Sequence, residues 1–223
     1  MTRQPVRLVL AATLSALGLM VTSCANMPMT RTGFLEDYSQ LKPAPERTVR
    51  FVPDGIDLYV NPAPSRSEGY DAIFIEPVVY KEAEGVDYVP SERVQDDLPR
   101  YFHRKLHKQL SKDFEIVEEP RPGAIRLRTA ITAIDASNVP LNIVMLILAV
   151  AVDMGGISGE IEAVDAVTGE RLSAMTLCRE GTPLLVFESV NRHGYARHGI
   201  KKWSKELRDI LSDFSAQRLG ASQ

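Results

Sequence analysis

The chain has 223 residues, a formal net charge of −3, 44% hydrophobic and 25% charged residues, and two cysteines, Cys24 and Cys178. That composition suits a globular protein with one core of ordinary size, and it excludes a disordered chain, a disulfide framework and a cysteine-rich zinc site. Setting aside residues 1–23, which hold two arginines and no acid, leaves a charge of about −5, so a nucleic-acid partner is not expected.

Residues 1–23 open with Arg3 and Arg7 and continue in an apolar run from Leu8 to Val21. A basic start, a short apolar core and small residues after it make a secretory signal. Fourteen helical residues rise about 21 Å, short of the roughly 30 Å hydrocarbon core, so a permanent membrane-spanning anchor is not expected. Val21-Thr22-Ser23-Cys24 resembles the bacterial lipobox. The resemblance implies a diacylglyceryl thioether on Cys24, cleavage just before it, and acylation, as by palmitate, of the freed amine. Ser23-Cys24-Ala25 also fits the small-x-small pattern of ordinary signal peptidase, which would cut after Ala25. Several acyl chains, at about 0.8 kcal/mol per buried CH₂, form a tether that does not readily dissociate. Ala25, rather than an Asp, after the cysteine favours an outer-membrane lipoprotein facing the periplasm.

Residues 24–69 read as a lipidated tether and proline-rich arm, with Pro28, Pro43, Pro45, Pro53, Pro62 and Pro64. Within it Phe34, Leu35, Tyr38 and Leu41 fall at helical spacing, so 34–41 is either a short docking helix ended by Pro43 or a loose linker.

A single globular domain is expected over 70–217. Ala72 to Tyr80 is a strand whose Pro77 implies an edge or a bulge. Val94, Leu98, Phe102, Leu106 and Leu110 mark an amphipathic helix capped by Ser91, with Pro99 either kinking it or delaying its start to Asp97. Phe114 to Glu119 is a short strand, and Ile125, Leu127, Thr129, Ile131 and Ala133 alternate along a half-buried one. Residues 156–180 form a hairpin turning near Thr168-Gly169. A last helix buries Ile200, Trp203, Leu207, Ile210, Leu211 and Phe214. The order predicts an α+β fold: a mostly antiparallel, possibly mixed, sheet of about five strands with two amphipathic helices on one face. Ile143 to Val152 is an uninterrupted apolar run, too short to span a bilayer. It is either a buried core segment or an exposed element that meets lipid, an apolar ligand or a partner.

Several residue groups together resemble the bacterial lipoprotein family called domain of unknown function 3313. They are Gly33-Phe34-Leu35, Asp37-Tyr38-Ser39 and Leu41-Lys42-Pro43; Tyr70-Asp71 and Ile75-Glu76-Pro77-Val78; Gly159-Glu160-Ile161-Glu162, Asp165-Ala166 and Thr168-Gly169-Glu170; and Lys202-Trp203. The likeness runs from about residue 31 to 215, and departs from the family where Ser204 stands in place of a commoner Ala. It implies an envelope location and no established reaction, so no catalytic residue is carried over.

Nor do the residues themselves assemble a reactive motif. His103 and His107 share a helix face, but Arg104-Lys105-Leu106 between them is not the zinc-protease pattern, and both fall on a solvated basic face. His193 and His198 belong to a polar loop and a helix start. Gly156-Ile157-Ser158-Gly159 misses the Gly-x-Ser-x-Gly elbow by one residue. Glu118-Glu119 and the hairpin acids are too ordinary to nominate a glycosidase pair. Cys178 reads as a small buried hydrophobe, the alternative being an exposed thiol in an intermolecular disulfide. The expectation is a non-enzymatic envelope adaptor, without metal or cofactor, anchored through Cys24 and bound to an envelope protein. The alternative is a periplasmic binding module for a lipid or other apolar ligand using residues 141–152, and an enzyme with no sequence motif ranks third.

Overall fold

Period-two alternation builds most of this molecule, and two period-3.6 segments cover one side of what it builds. The computed structural model describes residues 32, 34–35, 39, 41–44, 55–65, 69–86, 88–137, 155–181 and 191–221, without the side chains of 216–221. In chain order these form strands β1 (Lys42–Pro43), β2 (Ile56–Val60), β3 (Ala72–Ile75) and β4 (Val79–Tyr80), then helix α1 (Glu92–Leu110). Strands β5 (Glu115–Val117), β6 (Ala124–Asp135), β7 (Gly156–Asp165) and β8 (Arg171–Glu180) and helix α2 (Gly194–Ala221) follow.

The strands make one eight-stranded sheet in the order β1-β2-β8-β7-β6-β3-β5, with β4 also paired to β6. The fold is α+β with two helices, as expected, but the sheet is larger than five strands and is mixed. Strands β1, β2, β8, β7 and β6 pair antiparallel, whereas β3 runs parallel to both β5 and β6, and β4 runs parallel to β6. The parallel half arises because α1 carries the chain back across the sheet, and β5 and β6 then flank β3 on its two sides.

Two of the additional strands come from the stretch read as an arm. Ile56, Leu58 and Val60 alternate with Asp57 and Tyr59, and the strand pairs with β8 from Ile56↔Leu177 to Val60↔Ser173. The sheet therefore begins upstream of residue 70. The docking helix over 34–41 is not seen among its described residues: Phe34 and Leu35 lie in a bend, Ser39 in a turn and Leu41 in irregular chain.

Pro77 acts as its chemistry requires. Strands β3 and β4 share one lane beside β6, where Ile75 opposes Leu127 and Val79 opposes Ala130. Four steps on this lane pass three on β6, and Pro77, with no N–H to donate, sits in that bulge. Pro99 is tolerated inside α1, which starts at Glu92 rather than Asp97; Ser91 holds the N-cap backbone conformation but makes no side-chain cap bond.

The core lies between the sheet and the helices. Leu98, Phe102, Leu106 and Leu110 of α1 and Ile200, Trp203, Leu207, Ile210 and Leu211 of α2 bury against Ile125, Leu127, Ile131, Ile157, Ile161, Met175 and Leu177. Phe102 and Trp203 meet across the helix pair with ring centroids 6.1 Å apart. A Cβ on Gly159 would come within 2.8 Å of the Ala130 carbonyl oxygen and 3.6 Å of the Trp203 ring, so only glycine lets β6 and α2 close around β7 here. The helices lie side by side and run the same way: Arg197 reaches Tyr101, and further along Arg208 and Ser212 reach Asp113.

Candidate functional site

Because strand side chains alternate, the helix-facing residues of β7 leave Ser158, Glu160 and Glu162 on the opposite, back face of the sheet. A face without helices normally meets water, yet Ser158 is 1%, Glu160 0% and Glu162 1% exposed. Charged residues this deep need partners. Glu162 has two: its Oε2 lies 2.6 Å from Arg128 Nη1, its cross-strand neighbour on β6, and its Oε1 accepts a hydrogen bond from Arg171 Nε on β8. Glu76, beside Pro77, extends the row, 3.5 Å from Arg126 and 3.8 Å from Arg128. Carboxylates and guanidinium groups thus alternate across four adjoining chain segments.

The segment that follows the predicted lipidation site packs over this row. Thr32 donates its backbone N–H to Glu160 Oε1 at 2.6 Å. The Phe34 ring stacks on the Arg128 guanidinium at 5.2 Å, a cation–π contact. Leu35 and Leu41, 4% and 7% exposed, pack on Ala174 with Phe34 and Tyr59 alongside. Thr32, Phe34, Leu35 and Leu41 therefore lie over the back face as a strap. Beneath the strap one polar atom keeps no partner, Glu160 Oε2, with Ser158 Oγ equally unpartnered on the same strand.

A second cluster occupies the end of the sheet where β6 and β8 finish and β7 starts. Its segment ends are tied together: Ser137 N–H donates to the Arg192 carbonyl at 3.2 Å and Gly181 N–H to the Gly155 carbonyl at 2.9 Å. Arg192 stacks on Tyr88 at 5.6 Å, and Arg197 and Lys105 approach Tyr101 at 4.8 and 5.0 Å. His193 Nε2 lies 3.4 Å from the Tyr88 hydroxyl. Burial, then the charges of Arg192 and Arg197, pushes the His193 pKa below its ordinary value. Tyr80 is pushed up to about 12, first by burial and then by Glu82 and Tyr88.

Two clefts are also lined by described residues. An apolar one between the sheet and the end of α2, lined by Tyr70, Ile125, Leu172, Leu211 and Phe214, has a cavity volume of about 20 Å³. That is space for about one water and not for an acyl chain. A polar one of about 300 Å³ lies at the β7–β8 turn beside Ser65, Asp165, Thr168 and Glu170. Burial raises the Asp165 pKa, but hydrogen bonds from the Thr168 and Val167 N–H groups and from the Thr168 and Tyr70 hydroxyls outweigh it and hold the pKa below the usual carboxylate value.

Most sequence-nominated residues lie apart from one another. Cys24 and the apolar stretch 141–152 fall outside the described residues. His103 contacts the Glu76 carbonyl at 3.3 Å while His107 is exposed, and no cluster of three or more potential metal ligands occurs among the described residues. His193 belongs to the sheet-end cluster and His198 follows it on α2. Ser158 lies in the middle of β7, and Glu118 and Glu119 are exposed. Cys178 is buried against Ala133 and Val86. The residues that sequence reasoning did not nominate are Arg128, Glu160, Glu162 and Arg171. Their signal was present: acids at alternate positions of one strand and arginines at alternate positions of its neighbour put opposite charges on one face.

No helix among the described residues is long and apolar enough to cross a membrane. No curated protein matches the chain in sequence. Among solved structures, the PelC dodecamer from Paraburkholderia phytofirmans shares 16% identity, with 68% of this chain and 96% of that chain covered and a TM-score of 0.41. A putative neuraminyllactose-binding hemagglutinin homologue from Helicobacter pylori shares 12% identity, covering 71% and 92%, with a TM-score of 0.38. A lipoprotein from Neisseria meningitidis shares 12% identity over 49% of this chain and 83% of its own, with a TM-score of 0.29. The sequence itself matches a family pattern over residues 30–207, which takes in the strap, the charged back face, α1 and the first half of α2, and the chain belongs to that family, described as "Protein of unknown function (DUF3313)".

Proposed function

We propose that this chain is a non-enzymatic, lipid-anchored protein of the bacterial cell envelope that holds a partner protein close to the membrane. The lipobox-like Val21–Cys24 supports the anchor, and Ala25 after it supports an outer-membrane address facing the periplasm. The observation that carries the adaptor reading is the strap. Thr32, Phe34, Leu35 and Leu41 bind the domain's own back face. Only eight positions then separate Cys24 from the first strap contact at Thr32, in place of a leash running to residue 55. A short mooring serves positioning, as in an assembly, better than it serves capture of diffusing substrates.

Membrane fractionation of the wild-type chain and Cys24→Ser tests the anchor: the wild type should partition with membranes and the variant should not. A Cys24→Ser chain still firmly membrane-bound would overturn it. In-membrane crosslinking from several surface positions, read by mass spectrometry, tests the adaptor role. One recurrent protein partner is the expected result, and recovery of a lipid from every site, or of nothing, refutes it.

A further inference from the structure

The helix layer carries cations that stand outside its ion pairs. Arg104, Lys105 and Lys108 on α1 and Lys201, Lys202 and Lys205 on α2 have no ion-pair partner among the described residues; all are exposed except Lys105, which lies against the Tyr101 ring. Five acids of the same layer are already engaged: Asp96 by Arg100, Asp97 by Arg93, Glu206 by Arg179, and Asp113 and Asp209 by Arg208. At 100° per residue, the buried Leu98–Leu110 stripe turns Arg104 and Lys108 away from the sheet, and the buried Ile200–Leu211 stripe does the same for Lys201 and Lys205. Since Tyr101 meets Arg197 and Asp113 meets Arg208, these two i,i+4 pairs stand beside each other across the seam between parallel helices. On a chain whose net charge is negative, this is a concentrated basic surface.

We propose that this seam is the docking surface for a carboxylate-rich face of the partner protein, an inference that rests on the adaptor reading above. The anionic bilayer is the competing occupant, and the strap rules it out. Thr32 sits on the back face over β7, with three strands between it and either sheet edge. Reaching a membrane under the helices means crossing about 14 Å of sheet and descending about 20 Å past sheet and helix layer, roughly 35 Å in all. From Cys24 to Thr32 the chain spans at most about 29 Å even fully extended. While the strap is docked, the back face looks toward the membrane and the basic seam looks away from it. The spacing fits an acidic helix: cations four residues apart recur about every 6 Å, the rise between carboxylates at i and i+4.

The lipidated full-length mature chain in phosphatidylcholine nanodiscs, titrated with fluorescent poly-L-glutamate, tests this. Binding is expected, weakening steeply between about 50 and 200 mM salt. Lys201→Glu with Lys205→Glu should weaken it about tenfold, Lys201→Arg with Lys205→Arg should restore it, and Lys42→Glu with Lys81→Glu should change it less than about twofold. All four positions are exposed, and unchanged Trp203 emission verifies each fold. No binding, equal loss from both charge reversals, or tighter binding of charge-matched dextran sulfate overturns the proposal. So does a probe at position 201 quenched by bilayer labels once phosphatidylglycerol is added, which would mark the membrane as occupant. A chain that stays moored through Cys24 and crosslinks a partner without needing the seam overturns this inference alone. Membrane binding by Cys24→Ser overturns the anchor reading instead and leaves the poly-L-glutamate result to stand by itself.

Discussion

Replacing Glu162 by Gln is the sharpest probe of the strapped back face. The side chain is 1% exposed, and its two partners, Arg128 and Arg171, retain 31% and 20% side-chain exposure. Loss of the carboxylate charge leaves two guanidinium groups partly shielded from water. Arg128 still has Glu76 at 3.8 Å, so its charge is only half orphaned. Among the described residues Arg171 has no second carboxylate within ion-pair distance. Removing one member of a fully buried pair costs 3–5 kcal/mol, and the partial solvation of both arginines puts the expected loss near the lower end, about 3 kcal/mol. With an m-value of about 2 kcal/mol/M, that lowers the urea midpoint by about 1.5 M. Glu115→Gln is the internal control. Its carboxylate pairs with Arg121 at 2.8 Å but is 66% exposed, so its removal should cost less than about 1 kcal/mol. Trp203, the sole tryptophan and buried in the core, reports both transitions by its emission. Equal midpoint shifts for the two variants would mean that water reaches Glu162 as freely as Glu115, and the strapped back face would be refuted.

Two further outcomes follow from particular contacts. Gly159→Val places a branched side chain where even a Cβ lies 2.8 Å from the Ala130 carbonyl oxygen and within 4 Å of Trp203, so it should destabilise by more than about 2 kcal/mol; a urea midpoint within experimental error of wild type would contradict that packing. His193 has a folded pKa depressed first by burial and then by Arg192 and Arg197, so the unfolded chain binds its proton more readily. Its contribution is present above the unfolded value of about 6.5 and is lost as pH falls through the lower folded value. The melting temperature should drop between pH 7.5 and 5.5, and His193→Gln should reduce that drop; an undiminished drop would assign it to other groups.

How far the fold was readable depended on the range of the information. Helices α1 and α2, strand β6 and the β7–β8 hairpin announce themselves, because each carries a long periodic pattern that local chemistry interprets without help. Gly169, at φ +72°, and the Asp165 carboxylate accepting the Val167 and Thr168 N–H groups made the hairpin turn visible as a turn. Strand β2 has the same alternation in Ile56, Leu58 and Val60, but its five residues lie among prolines that signal an arm. The parallel lanes were hidden for a different reason. Which strand accepts β3 is decided by where α1 returns the chain, and no residue in β3 records that. The charged back face was partly readable: alternation alone aligns Glu160 and Glu162, but their coverage depends on Thr32, 128 residues away from Glu160.

That separation shows that the strap residues Thr32, Phe34, Leu35 and Leu41 are part of the fold and not a leash attached to it. Glu160 stands on β7 between Ala130 of β6 and Thr176 of β8. The alanine has no side-chain donor, and the neighbouring arginines of the row are committed to Glu162 and Glu76. A carboxylate so placed, with no exposed surface, needs donors close by, and the Thr32 N–H supplies one from outside the sheet. The dependence runs both ways. The strap residues in turn are held on the sheet by burial of Leu35 and Leu41 on Ala174 and by the stacking of Phe34 on Arg128. Charge on the sheet selects the strap's position, and apolar contact holds it there. A protein that merely needed attachment to a bilayer could let this stretch remain disordered, at no cost in chain entropy. Under the function proposed above, ordering it across the sheet gives the domain a defined face toward the lipid and, on the far side, a defined face toward the partner.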